Sequence, residues 1–495
     1  MIKLATYFKN IKNMLRDKVT KRISEIKTDF NPEHFDSEKI MGIFKAMKLT
    51  ESFSAFNTFK KEGYSFKLVL SLLIVMVTLA NKTVNSSLVK LREYGYNLGK
   101  DVFYRLKNNP EICWRLILWH IVLKFIRITE SESETESNEE AKSKAHYLIF
   151  DDTMIEKSGK KTEFIGKVWD HVMQKLLLGY KMLVMLYWDG KSPIPLDFSI
   201  HREKGKREDK PYGMNKKDLR RRFSKKRIRE SESARRVKEL DISKIQMMLK
   251  MFYSAVYRCL RIDYVLVDSW FTCDALIKAV TEQGIHLIGM YKIVKTKFLY
   301  RGKMLTYSQI NGLTGQTHYC RTSKMTYKRV AVLHDGIPLT LFFSRKGTKG
   351  DWKVILTTDT SLSFTKMLRH YQVRWTVEVF FKEAKGLLNL GGCQSSDFDA
   401  HIADTTVTMI TYILLTFRYR FEHYESKGEL FRTMNAESLR MTLDKRLWEL
   451  ILVLIQVIVE IFDVDVDDLL KKILTNPKAE YFVNSIIENY PQKTG

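Results

Sequence analysis

Apolar positions follow two different periods along the chain. In residues 1 to about 127 they recur at helical spacing with few turn signals. Lys67 to Leu79 is apolar on nearly every side and predicts a buried helix. Asn85 to Tyr94 predicts another, followed by a Gly-containing turn at Gly95 to Gly99. Lys100 to Lys107 predicts a third, with Asp101 as its cap and Pro110 closing it. Strand-like runs then take over. His146 to Thr153 is mostly apolar and runs into two aspartates. The stretch from Lys175 to Arg202 holds two apolar runs joined by Asp189-Gly190, a hairpin signal. Asp241 to Leu260 predicts a helix with the stripe Ile242, Ile245, Met248, Phe252 and Val256. Tyr264 to Val267 is a strand, and Ser269 and Thr272 are candidate caps for a helix over Ala275 to Val280.

Gly284 to Val294 is a further strand. About seventy residues of strand character follow, with runs at Tyr327 to His334, Pro338 to Lys346 and Trp352 to Asp359. Their turns fall at Asp335-Gly336 and Lys349-Gly350. A helical period returns over Tyr371 to Lys385 and breaks at Gly391-Gly392. His401 to Arg420 and Arg446 to Ile461 predict apolar helices.

Composition changes this picture in three ways. The 495 residues carry a net charge of +26, which costs self-repulsion and points to a polyanionic partner. The charge is uneven: Glu130 to Glu140 is acidic and polar, reading as a disordered linker, while residues 202–238 are dense in Lys and Arg. That basic stretch reads as a solvated, flexible loop able to touch DNA phosphates, with Arg220, Arg221 and Arg222 at its densest point. The five cysteines are scattered and form no C-x-x-C pair, which argues against a disulfide framework or zinc site and fits a reducing cytoplasm. No signal peptide is read, and the apolar run Leu68 to Ala80 falls short of the ~20 residues that span a bilayer.

The candidate chemistry lies on the Tyr371–Lys385 helix. At ~100° per residue, Arg374, Glu378 and Lys385 fall about 60°, 20° and 40° to one side of Tyr371. Val373, Val377, Phe380, Phe381 and Ala384 fall mainly opposite, and Trp375 sits at the edge of the polar stripe. One carboxylate beside two cations can hold a divalent metal while the cations grip phosphate oxygens. A solvated face with ordinary i,i+4 pairs is the plain alternative. Two further acids close strand runs: Asp151 or its neighbour Asp152, and Asp268. Each also reads as a turn or cap residue. Glu383 is a rival to Glu378 but points off the stripe.

Tyr, two residues, Arg, three residues, Glu, six residues, Lys is the Y-R-E-K spacing, and here the chain resembles the insertion sequence 4 family of DDE transposases. The resemblance covers about Tyr147 to Lys385. It implies an α/β fold: an RNase H-like core, interrupted by a β-rich insertion, with helical N- and C-terminal parts. The corresponding boundaries are a helical DNA-binding domain at 1–128, an acidic linker at 129–143 and the first part of the core at 144–294. The insertion follows at 295–363, the second part of the core at 364–420 and a helical C-terminal region at 421–495. The resemblance further implies that Asp151, Asp268 and Glu378 hold two Mg²⁺ ions, with Mn²⁺ as a substitute. A strand–Asp–x–Thr register selects Asp151; a strand–x–Asp–Thr register selects Asp152. Tyr371, Arg374 and Lys385 would contact phosphates near the cleaved end, and Trp375 would either stack on an unpaired base or pack in the core. Lys100 to Pro110 resembles the second helix of a helix-turn-helix, presenting Arg105 and Lys107 to a major groove. The implied partners are double-stranded DNA, as element ends and target, and a second copy of the chain, without a membrane. The implied place is the bacterial cytoplasm, at the nucleoid.

Overall fold

The computed structural model describes residues 63–78, 83–93, 98–135, 145–171, 173–293, 295–347, 350–421 and 426–432, with isolated positions at 47, 56, 476 and 477. The expected helix at Arg446 to Ile461, most of the 421–495 region and the centre of the acidic linker lie outside these. The chain divides into two compact units. One comprises Met1–Gly42, Leu88–Leu98 and Met434–Gly495, of which little is described. The other, Ile43–Ser87 with Gly99–Thr433, holds the sheet and the features below.

Among the described residues four helices come first: α1 (Phe66–Thr78), α2 (Val84–Glu93), α3 (Lys100–Lys107) and α4 (Trp114–Thr135). α1 is the buried apolar helix its composition predicts. α3 starts on Gly99 rather than on Asp101, which lies in the first turn. α4 runs to Thr135, several residues into the expected linker. A helix already nucleated extends cheaply, so Ser and Glu residues are carried along.

The chain then enters the sheet. β1 (Tyr147–Glu156), β2 (Gly166–Asp170), β3 (Lys175–Trp188) and β4 (Pro193–His201) form antiparallel neighbours. β1 pairs with β3 over the whole of Tyr147–Glu156, so β1 continues past Asp151 and Asp152 instead of ending there. On its other side β1 lies parallel to β5 (Tyr264–Val267), and only from Tyr147 to Phe150. These residues are covered on both faces, which is why they read as one apolar run.

The segment between β4 and β5 is ordered into α5 (Lys216–Arg220), α6 (Glu232–Glu239) and α7 (Lys244–Tyr257), correcting the reading of 202–238 as a flexible loop. Arg227 inserts its guanidinium onto Glu163 at 2.5 and 2.7 Å, and Lys225 reaches Asp397 at 3.0 Å and Asp399 at 2.8 Å. These acids are far away in sequence, so the cations read as unpaired. α7 is capped by Ser243 and buries Met247, Met248, Met251, Phe252 and Ala255, a face rotated from the expected stripe.

α8 (Asp274–Glu282) leads to β6 (His286–Tyr291), parallel to β5. Next come β7 (Lys297–Tyr300), β8 (Lys303–Thr306), α9 (Tyr307–Leu313), β9 (His318–Cys320), β10 (Met325–His334), β11 (Ile337–Lys346) and β12 (Lys353–Thr357). β12 pairs antiparallel with β6, so the insertion extends the same sheet. Twelve strands form one mixed sheet, its main path running β2-β3-β1-β5-β6-β12-β11-β10-β7-β8. The chain returns through α10 (Phe364–Gln372), a 3₁₀ turn (Val373–Trp375), α11 (Thr376–Leu387) and α12 (Phe398–Phe421). α12, at 24 residues, is long and apolar enough to cross a membrane by length and composition. It is instead nearly enclosed, packed on α1, α4 and β4.

Candidate active site

The site forms where the parallel pairing of β1 and β5 stops. Phe150 opposite Val267 is the last pair of that ladder, and Asp151 and Asp268 are the next residue on each strand. Adjacent strands lie about 4.8 Å apart, so the two carboxylates start from neighbouring positions. Burial, then repulsion from Asp268, pushes the Asp151 carboxyl up to about 7, with Arg374 opposing the rise. Asp268 also accepts hydrogen bonds from the amides of Trp270 at 2.8 Å and Phe271 at 3.3 Å. It thus organises the turn after β5, while the N-cap of α8 is Cys273, not Ser269 or Thr272.

Strand alternation separates the two neighbouring aspartates. Asp151 faces the side where Arg374 lies, with Nη1 3.2 Å from its Oδ2. Asp152 takes the salt bridge of Lys244 on α7 at 2.5 Å. α7 and α11 therefore cover opposite faces of β1.

The expected continuous helix is a helix, a 3₁₀ turn and a second helix. The polar stripe survives because the backbone at Gln372, Trp375 and Thr376 stays helical. Tyr371 donates its hydroxyl to the Val267 carbonyl at 3.4 Å, and burial pushes its ionisation up to about 12. Arg374 bridges two acids: besides Asp151, its Nη2 reaches Glu378 at 2.5 Å. Lys385 donates to Thr153 Oγ1 at 2.7 Å and to the Met154 carbonyl at 3.0 Å, farther along β1. The opposite face buries Val377, Phe380, Phe381 and Ala384. Trp375 is 61% exposed and so is not a core tryptophan. Glu383 turns away to Tyr412 and Lys427.

Asp151, Arg374 and Glu378 thus meet where the β1–β5 pairing stops, beside Asp268, with Tyr371 and Lys385 flanking. The remaining sequence candidates lie elsewhere. Lys107 is buried against Asp404 at 2.6 Å, which corrects its placement on a groove-reading surface. Packing of α3 on α12 turned that residue inward. Arg105 donates to the Asp101 carbonyl. Arg220 and Arg221 are exposed, and Arg222 donates to the Ile165 carbonyl at 2.9 Å. Trp270, 64% exposed two residues beyond Asp268, and Lys244 escaped the sequence reading. The signal for Trp270 was a large aromatic two residues after a strand-closing acid.

Oxygen donors of this kind suit a hard divalent cation. Asp151 and Asp268 meet that requirement, and a cation held there would offset the cost of burying the Asp151 carboxylate beside Asp268. Among the described residues no three acidic, histidine or cysteine side chains converge closely enough to hold an ion. Glu378 is engaged by Arg374 and would complete the set on leaving it. The family model described as "Transposase DDE domain" matches residues 147–414. No curated protein matches the chain.

Proposed function

The chain belongs to the transposase DDE domain family, and from that premise we propose that Asp151, Asp268 and Glu378 are its catalytic acids. A DDE transposase is an enzyme that acts on DNA and uses a divalent cation. Within that frame the Y-R-E-K spacing supports membership of the insertion sequence 4 group. The parallel pairing of β1 and β5, which stops at two acids, supports an RNase H-like core. The observation that carries the site assignment is the meeting of Asp151, Arg374 and Glu378 where β1 and β5 part.

The residues divide the work as follows. Asp151, Asp268 and Glu378 would hold two Mg²⁺ ions, which when bound activate an attacking hydroxyl and stabilise the leaving oxygen. Arg374 orients Asp151 and Glu378 and offers a planar fork suited to a phosphate. Lys385 adds a second cation farther along the same face. Tyr371 braces the helix against the end of β5. Asp152 is neutralised by Lys244 on the other face of β1 and stands outside this set. The reaction proposed is cleavage at the element's terminal inverted repeats and joining of the 3′-hydroxyl end to target DNA, by a pair of protomers at the bacterial nucleoid.

The test is Mg²⁺-dependent cleavage and joining of a duplex carrying the element end, with binding measured alongside. Glu378→Gln is expected to bind that duplex within about threefold of the unsubstituted protein and to lose cleavage by 10³-fold or more, on the order seen when one group of a catalytic set is removed. Cleavage at the unsubstituted rate would remove Glu378 from the set.

A further inference from the structure

We propose that the insertion and α10 together form the main phosphate-binding surface of this protein, guiding duplex DNA across one face of the sheet toward Asp151 and Asp268. The proposal rests on the reading of the chain as a DNA-acting transposase and sets the DNA path on the sheet face that carries the acids.

Residues 202–238 hold seventeen Lys and Arg against six acids. Six of those cations are tied into ion pairs, Arg202, Arg207, Lys225, Arg227, Arg235 and Arg236, and ten others are exposed without one. Residues 292–353 hold thirteen Lys and Arg against only two acids. Among the described residues of that stretch, the recorded ion pair is His334 on Asp274, and no Lys or Arg has a carboxylate partner. Ten of its cations are exposed. Both stretches therefore carry exposed cations that a polyanion would neutralise, and what sets the insertion apart is the face on which its cations lie.

Directly paired residues point to the same face of a sheet. Lys353 pairs with Ser344, Lys346 with Met325 and Arg329 with Phe342, while Leu333 pairs with Leu299. Alternation along each strand then sets Lys353, Lys346, Arg329 and Lys297 on one face, one exposed cation from each of four neighbouring strands. That face continues through Ile355 to Met290 on β6. Met290 follows Gly289, the partner of Val267, so the next positions across are Asp268 and Asp151. α10 covers part of this face, its Phe364 stacked on Tyr327 at 4.1 Å. Its exposed Lys366 and Arg369, one helical turn apart, add two cations on top.

The sheet fixes the span. Lys353 stands two strands from Asp268 and Lys297 five, about 10 to 24 Å at ~4.8 Å per strand. At 3.4 Å per step this corresponds to roughly three to seven base pairs from the scissile position.

The test is salt-dependent binding of the full chain to a fluorescent nonspecific duplex of about 30 base pairs, read by anisotropy. Two variants are compared with the unsubstituted protein. One is K346Q/K353Q/K366Q/R369Q; the other is R220Q/R221Q/K226Q/R229Q, four exposed residues of the basic stretch. Each lost phosphate contact lowers the slope of log Kd against log salt by about 0.9. The sheet-face variant is expected to lose a slope of about 2 or more, with affinity at low salt falling at least tenfold. The 202–238 variant should lose less than half as much. The pairs K346Q/K353Q and K366Q/R369Q, each checked by circular dichroism, are expected to give about half the effect and guard against misfolding. An unchanged slope in folded sheet-face variants, or a larger loss from the 202–238 variant, overturns the proposal. Failure of the unsubstituted protein to bind duplex at all overturns the DNA-acting reading as well.

Discussion

Arg374 shows what a single residue does at this site. Its guanidinium spans Asp151 and Glu378, two acids brought together from a strand and a helix far apart in sequence. Half of this was legible in the sequence: Arg374 and Glu378 are an i,i+4 pair on one helical face. The other half was not, because nothing local states that the helix docks against β1 where its pairing with β5 stops. Choosing between Asp151 and Asp152 likewise needed the faces of the strand, which a run of two aspartates does not reveal. Arg374 also bears on metal affinity. A cation between two carboxylates competes with any divalent ion that would take both. Arg374→Gln should therefore bind Ca²⁺ more tightly, by about tenfold or roughly 1.4 kcal/mol, in calorimetric titration without DNA. Weaker binding would mean that Arg374 chiefly holds the acids in position.

At the scale of elements, local signals worked wherever a strand or turn is specified by its own residues. Tyr264 to Val267 reads as a strand and is β5. Asp335-Gly336 reads as a hairpin turn, and both residues adopt positive φ between β10 and β11. The segment between β4 and β5 failed the same reading because its order comes from outside. Arg227 and Lys225 are held by Glu163, Asp397 and Asp399, so a seemingly free basic run is pinned to the start of α12. The side chains of Glu163 and Arg227 are 2% and 7% exposed. Breaking a buried pair strands a charge, which costs about 3–5 kcal/mol. Glu163→Ala should lower stability by about that amount in urea unfolding. Arg207→Ala, which removes an exposed pair with Asp209, should change it by less than about 1 kcal/mol. Equal effects would deny the buried cluster its role as a clasp.

On the whole-molecule scale, the sheet ignores the boundary that the sequence suggested. Reading outward from β6, the seventy strand-rich residues look like an insertion that could fold apart. In space β12 pairs with β6 from Val354 opposite Tyr291 to Thr357 opposite Ile288, joining the insertion to the strands that carry the acids. No local pattern announces a pairing between strands so distant in sequence, and an antiparallel strand joined to a parallel set has the same apolar look as any buried strand. The consequence is cooperative. If β12 loosens, β6 loses the partner on its outer edge and the turn after β5 loses support from that side. Leu356 is fully buried opposite Gly289, so Leu356→Ala should cost about 2–5 kcal/mol. Hydrogen exchange of the variant should speed up together in β11, β12, β6 and β5, and divalent-ion binding should weaken with it. Faster exchange confined to β9–β12, with β5 and β6 still protected, would show that the insertion opens as a separate unit. The acids would then be held by the β1–β5 pairing alone.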